Sequence, residues 1–181
     1  MRSIRIPADR VGTLIGKSGE TKKILEKASG IKLKIDTEGE VTFNEDAKGV
    51  DPLMALKMMD VIKAVGRGFN PDKAMRLLDD DQYFEPIDLK DVVGDKSNQL
   101  ERIKGRLIGT DGKTRQIIED LTRCYMSIYG NTVSLIGDSV GLPVAKHAIE
   151  LILNGSEHST VYHYLEGQRP RLRIAEMGFD L

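Results

Sequence analysis

The segment Gly12-Thr13-Leu14-Ile15-Gly16-Lys17-Ser18-Gly19 returns in altered form at residues 105–112, and this echo constrains the fold more than any other feature of the chain. Moving the first segment from position 12 to position 105, a shift of 93, aligns a series of identical pairs. They are Gly12/Gly105, Leu14/Leu107, Ile15/Ile108, Gly16/Gly109, Gly19/Gly112, Thr21/Thr114, Ile24/Ile117, Glu26/Glu119 and Ile35/Ile128. A repeat of that length is too long for a solenoid unit and fits one small domain. The chain reads as a tandem of two related domains, with a duplicated Gly-x-x-Gly turn as the carrier of function.

Each half must also show the same succession of elements. Ser3 to Pro7 alternates like a strand, and Asp9 is placed to cap a short helix through Ile15. Gly16 to Gly19 breaks that helix, and a second runs from Glu20 to about Ala28, ending at Ser29-Gly30. Ile31-Lys32-Leu33-Lys34-Ile35 puts three apolar residues on one strand face and two lysines on the other. Glu38-Gly39-Glu40 turns it into Val41-Thr42-Phe43. Asp51-Pro52 then opens a long helix to about Val65, proline being tolerated at an early helical position.

After Gly66-Arg67-Gly68, a connecting helix from Asn70-Pro71 runs to Asp79-Asp80-Asp81, and the order repeats. The second half reads as a strand over 83–89, a helix over 95–108, the turn at 109–112 and a helix over 113–122. Cys124-Met126-Ile128 form the inward face of the next strand, 132–136 the last strand and 139–153 the closing helix. This predicts an α+β chain with domain 1 at 1–67, a connecting helix and linker at 68–82, domain 2 at 83–154 and a C-terminal helical tail at 155–181. The closing helices are apolar over most of their circumference, with little more than Lys57, Asp60 and Lys63 on one and Lys146, His147 and Glu150 on the other. Such helices are buried on two sides, which predicts that the two domains pack together.

Composition narrows the function classes. With 40% hydrophobic and 30% charged residues the 181-residue chain is expected to be soluble, and no apolar run approaches the roughly 18 residues that span a bilayer. Met1-Arg2-Ser3-Ile4-Arg5 lacks the apolar stretch of a signal peptide. The lone Cys124 excludes a disulfide framework and suits a reducing cytoplasm. A net charge of −1 means that any nucleic-acid role must come from local charge.

The turn supplies that local charge. Two helices joined by Gly-x-x-Gly bring main-chain N–H groups to a helix N-terminus, where a phosphate backbone is a natural ligand. Glycine lets such a ligand approach the main chain closely. Beside Ile15 and Gly16, the pair Lys17-Ser18 offers a cation and a hydroxyl before Gly19, and Lys22, Lys23 and Lys27 follow. In the second turn, Gly109-Thr110-Asp111-Gly112, Asp111 places a carboxylate where a phosphate would lie. Arg102, Lys104, Arg106, Lys113 and Arg115 can offset it.

Ile-Gly-x-x-Gly between two short helices, in the order β-α-α-β-β-α, resembles the KH domain of the eukaryotic (type I) topology. That module clamps about four nucleotides of single strand at its Gly-x-x-Gly loop. Lys22 and Arg115 depart from the aliphatic residue many KH domains carry three positions after the second glycine. With the stretch Cys124-Tyr125-Met126-Ser127-Ile128-Tyr129-Gly130-Asn131-Thr132-Val133 and the long tail, the chain resembles the archaeal relatives of the Partner-of-Nob-One and KRR small-subunit assembly factors. The resemblance implies binding near the 3′ end of precursor small-subunit ribosomal RNA. It also implies association with the Nob endonuclease and with the translation initiation factor two alpha subunit.

Rival readings are weaker. Gly16-Lys17-Ser18 resembles the end of a P-loop, but the first glycine of G-x-x-x-x-G-K-[ST] falls on Val11 and the approach reads as helix. His147, His158, His163 and Cys124 lack paired ligand spacing, so no metal is expected. Asp79-Asp80-Asp81 reads as a solvated linker, while Lys32, Lys34, Tyr125 and Tyr129 either meet RNA or cover a sheet. No catalytic constellation stands out, so neither an enzyme nor a cofactor is expected. The alternative is a protein-interaction adaptor in which only domain 1 binds RNA and domain 2 docks partners.

Overall fold

In the computed structural model residues 1–178 are described, and the end of the expected tail, 179–181, lies outside the described residues. The chain divides into two compact units, Met1–Phe84 and the remainder from Glu85.

Unit one runs β1 (Arg2–Arg5), a 3-10 turn (Ala8–Arg10), α1 (Val11–Ile15), α2 (Glu20–Ser29), β2 (Leu33–Ile35), β3 (Glu40–Phe43) and α3 (Pro52–Gly66). This is the expected β-α-α-β-β-α order. The strands form an antiparallel sheet ordered β1-β3-β2, with Ile4 opposite Val41 and Leu33 opposite Phe43. That register puts all four on the buried face. Helix ends are set as the sequence dictates: Gly30, in the left-handed region at φ 71°, closes α2, and the Asp51 side chain accepts from Leu53 N at 2.9 Å ahead of Pro52. Asp9 does not cap: it lies inside the 3-10 turn, which begins after Pro7, whose carbonyl accepts from Arg10 N at 2.9 Å.

Unit two repeats the plan with β4 (Tyr83–Asp88, which begins in the last two residues of unit one), α5 (Leu89–Val93), α6 (Ser97–Ile108), α7 (Lys113–Thr122), β5 (Tyr125–Tyr129), β6 (Thr132–Gly137), α8 (Gly141–Leu153) and α9 (His158–Glu176). The strand order again places the last strand of the unit in the centre, β4-β6-β5. Its core joins Leu107, Ile118, Met126, Val133, Leu135, Ile149 and Val161. Cys124 is buried in that core as expected, one residue before β5 rather than within it. The closing helix starts at Gly141 instead of Ser139, because Asp138 Oδ1 accepts from Val140 N and Gly141 N at 3.0 and 2.6 Å. Among the described residues no helix is long and apolar enough to cross a membrane.

Each closing helix finds a cover for its second apolar face inside its own unit. A connecting segment, α4 (Pro71–Ala74) and the 3-10 turn Met75–Leu78, packs on α3, and α9 packs on α8. Lys57 on α3 fastens the first cover by donating to Leu78 O at 3.2 Å and Asp80 Oδ1 at 2.6 Å. That bond holds the Asp80 carboxyl below the usual carboxylate range. The two units also share a device at the far end of the closing helix. Arg10 donates to Val65 O and Phe69 O at 2.8 and 2.9 Å, and Arg106 donates to Ile152 O at 2.8 Å and to Ser156 O. In both cases one guanidinium ties the last turn of the closing helix to a carbonyl of the segment that follows it.

Candidate nucleic-acid interface

The two Gly-x-x-Gly turns have the same backbone. Gly16 and Gly109 sit at φ/ψ of 76/173° and 76/174°, Ser18 and Asp111 at 53/27° and 54/28°, and Gly19 and Gly112 at 74/14° and 74/15°. One short bond closes each turn, from Gly19 N to Gly16 O and from Gly112 N to Gly109 O, both 3.2 Å. Three of four residues therefore lie at positive φ, in a chain order that repeats after 93 positions.

The two glycines of each turn answer different needs. A Cβ on Gly16 would overlap the Thr21 hydroxyl and lie 2.8 Å from Thr21 N; on Gly109 it would overlap the Thr114 hydroxyl, 2.7 Å from Thr114 N. The first glycine is thus required by packing against the start of the next helix. A Cβ on Gly19 or Gly112 would meet nothing within 4 Å. The second glycine leaves open space in front of a helix N-terminus that carries no side-chain cap; the first N–H, of Glu20 or Lys113, bonds back to Lys17 O or Thr110 O, and the N–H groups after it are those a helix start offers to a ligand.

Around the first turn the expected residues converge. Lys17 and Ser18 are exposed at the apex, Ile15 and Gly16 are partly buried beneath it, and Lys22 and Lys23 lie on the first turns of α2, with Lys23 exposed. The second turn is differently equipped. Thr110, Asp111, Lys113 and Arg115 are exposed, but Arg115 Nε pairs with Glu119 Oε1 at 3.5 Å, and the Arg106 guanidinium points away to the end of α8. Ile108, the counterpart of Ile15, is open beside the turn. The approach to Gly16-Lys17-Ser18 is α1, not a strand, which removes the context a P-loop needs. Among the described residues no group of three or more His, Cys, Asp or Glu could hold a metal ion.

One shared pair had no assigned role in the sequence. Glu26 Oε1 accepts from Leu33 N at 2.8 Å, and Glu119 Oε2 accepts from Met126 N at 3.2 Å. Leu33 and Met126 lie on the edge strands β2 and β5, so each glutamate latches the helix after the turn to the strand beside it. Glu26 also pairs with Lys32 at 3.5 Å. The signal was present in the identity of Glu26 and Glu119, seven residues before the strand position each one holds.

Comparison with known proteins agrees with this geometry. The profile described as "Eukaryotic type KH-domain (KH-domain type I)" matches residues 83–170, and one described as "KH domain" matches 1–50. A KH domain-containing protein of Methanocaldococcus jannaschii is 44% identical over 172 residues, 95% of this chain and 75% of that protein. The pre-rRNA-processing protein pno1 of Schizosaccharomyces pombe is 28% identical over 175 residues, 96% of this chain and 73% of that protein. Among solved structures, the a/eIF2alpha-aDim2p-rRNA complex of Pyrococcus horikoshii contains a chain that is 44% identical, with a TM-score of 0.87 and 94% of each chain covered. The duplicated turn, the twice-repeated element order and these matches together place the chain in the KH-domain family, as a two-domain homologue of the Pno1/Dim2 proteins.

Proposed function

We propose that this chain is a non-catalytic, cytoplasmic protein that binds single-stranded RNA in assembly of the small ribosomal subunit, at the 3′ region of its precursor RNA. The observation that carries the reading is the first turn: an uncapped helix N-terminus, open space over Gly19, and Lys17, Ser18, Lys22 and Lys23 around it. Phosphates would be held there by main-chain N–H groups and lysines, with Ile15 and Gly16 at the base. The solved complex of the Pyrococcus horikoshii relative with ribosomal RNA and the initiation factor alpha subunit supports both partners for this chain. The Nob endonuclease is the third partner proposed, since a protein seated at the 3′ end of the precursor stands where that nuclease must act. Crosslinking the protein to ribosomal RNA in cell extract and mapping the sites tests the reading. Crosslinks should cluster near the small-subunit 3′ end and carry peptides spanning 15–23; crosslinks scattered over the RNA would sink it.

The adaptor reading has an observation of its own. In unit two Asp111 occupies the apex, Arg106 is spent on α8 and Arg115 is paired with Glu119, so fewer cations address the second turn. Gly109, Thr110, Gly112 and Lys113 remain its candidates for RNA contact. If that turn meets RNA, Lys113→Asp in the full chain weakens binding; if it docks protein, RNA affinity is unchanged.

A further inference from the structure

Helix α9 starts against the second Gly-x-x-Gly turn and grips it on both flanks. Upstream, His158 Nε2 lies 2.8 Å from the carbonyl oxygen of Arg106, in the last turn of α6. A carbonyl only accepts, so that ring nitrogen carries the proton and donates. Downstream, the Tyr162 and Thr114 hydroxyl oxygens are 2.8 Å apart. Thr114 is the residue that packs over Gly109, and it is 2% exposed. The two rings stack one helical turn apart, centroids 6.1 Å and planes 15° from parallel, so each restricts the other's rotamers. Arg106 ties the same corner to Ile152 O and Ser156 O, where the chain leads into α9.

Among the described residues the first turn has no such brace. Thr21, the counterpart of Thr114, is partly exposed and makes no side-chain hydrogen bond among the described residues. Yet the two turns share their dihedral angles, including a non-glycine residue in the left-handed region, a conformation that is intrinsically unfavourable. In the first turn a phosphate beside Lys17 would help hold that shape. In the second, Asp111 weakens the help a phosphate can give, and a support from the protein itself stands in its place. We propose that His158 and Tyr162 are positioning residues for the second turn: α9 preorganises residues 109–112 for the RNA backbone, and that turn's share of RNA binding depends on the C-terminal helix. This rests on the RNA-binding reading above.

The first turn is an internal control in the same molecule. In the full chain, Tyr162→Phe removes one hydroxyl, His158→Leu removes the donor, and His158→Gln restores a donor. The readouts are amide hydrogen exchange at 16–19 and 109–113, and affinity for a short single-stranded RNA of small-subunit 3′-end sequence. Tyr162→Phe and His158→Leu should speed exchange at 109–113 several-fold while 16–19 stay unchanged, with His158→Gln closer to the parent. Affinity should fall about three- to tenfold, the scale of one or two lost hydrogen bonds, and more steeply when Lys17→Ala already weakens the first turn. Unchanged exchange at 109–113, or exchange that rises equally throughout unit two, overturns the proposal. Local loosening with unchanged RNA affinity overturns it as well, while binding by the parent and its loss in Lys17→Asp/Ser18→Asp leave the RNA-binding reading intact. A parent that binds no RNA removes that reading, and the proposal with it.

Discussion

Gly16 and Gly19 share a positive φ, yet substitution should separate them. Gly16→Ala places a methyl group against Thr21 at φ 76° and should cost roughly 2 kcal/mol or more in denaturant unfolding, since strain and overlap act together. Gly19→Ala meets only the left-handed penalty, about 1 kcal/mol, because nothing occupies the space in front of it. Its effect should appear in RNA affinity, where the added methyl stands in the path of the phosphate. Equal stability losses for the two would contradict this division of labour. At the apex, Lys17→Asp with Ser18→Asp should weaken RNA binding by more than about tenfold, two carboxylates opposing phosphates at a helix N-terminus. The double variant should fold, because Asp111 already shows aspartate at the same dihedral angles as Ser18. A folded double variant of unchanged affinity would remove the first turn from the interface.

At the scale of elements, Arg106 offers the sharpest check on reading cations from sequence alone. Local charge density nominated it for phosphate contact, but its guanidinium completes the end of α8 through Ile152 O and Ser156 O. Arg106→Met should lower unfolding stability by about 1–3 kcal/mol, the scale of charged hydrogen bonds to carbonyls. It should change the salt dependence of RNA binding little; a large loss of slope with stability intact would restore it to the interface. The regular elements were legible wherever local signals agreed: the 2-residue alternation of Ile31 to Ile35, the Asp51-Pro52 start, the Gly30 stop. The repeat made the turns legible because glycine at a required positive φ cannot drift. One element escaped. Helix α5, five residues after the Asp88 cap, is too short to show a period. The expected helical tail is present as α9, on a weak pattern: it buries Val161, Leu165 and Leu172, four and seven residues apart on one stripe, while Gln168 interrupts the stripe and Pro170 argues against helix. Pro170 is tolerated because it and Glu166, whose carbonyl loses its partner, are both exposed to water. The two brace residues on α9 were invisible for a different reason: their partners lie 48 and 52 residues away.

For the whole molecule, a net charge of −1 conceals two turns of equal backbone and opposite apex charge, Lys17 against Asp111. An RNA that crosses both would meet attraction at one and partial repulsion at the other, so the first should carry more of the salt-sensitive affinity. Each neutralised phosphate contributes about −0.7 to the slope of log K against log salt on a single strand. Lys17→Ala should therefore flatten the slope by somewhat less than about one unit. Asp111→Lys adds a cation at an apex whose backbone already matches that of the first turn, so it should steepen the slope by a similar amount and raise affinity. Titrating both variants across a salt series in the full chain measures the two effects independently, because the turns belong to separate compact units. If Asp111→Lys brings no gain while Lys17→Ala flattens the slope, phosphate does not pass the second turn. Unit two then serves protein partners, with Asp111 facing a cationic surface in place of RNA, and the adaptor reading takes over that half of the chain.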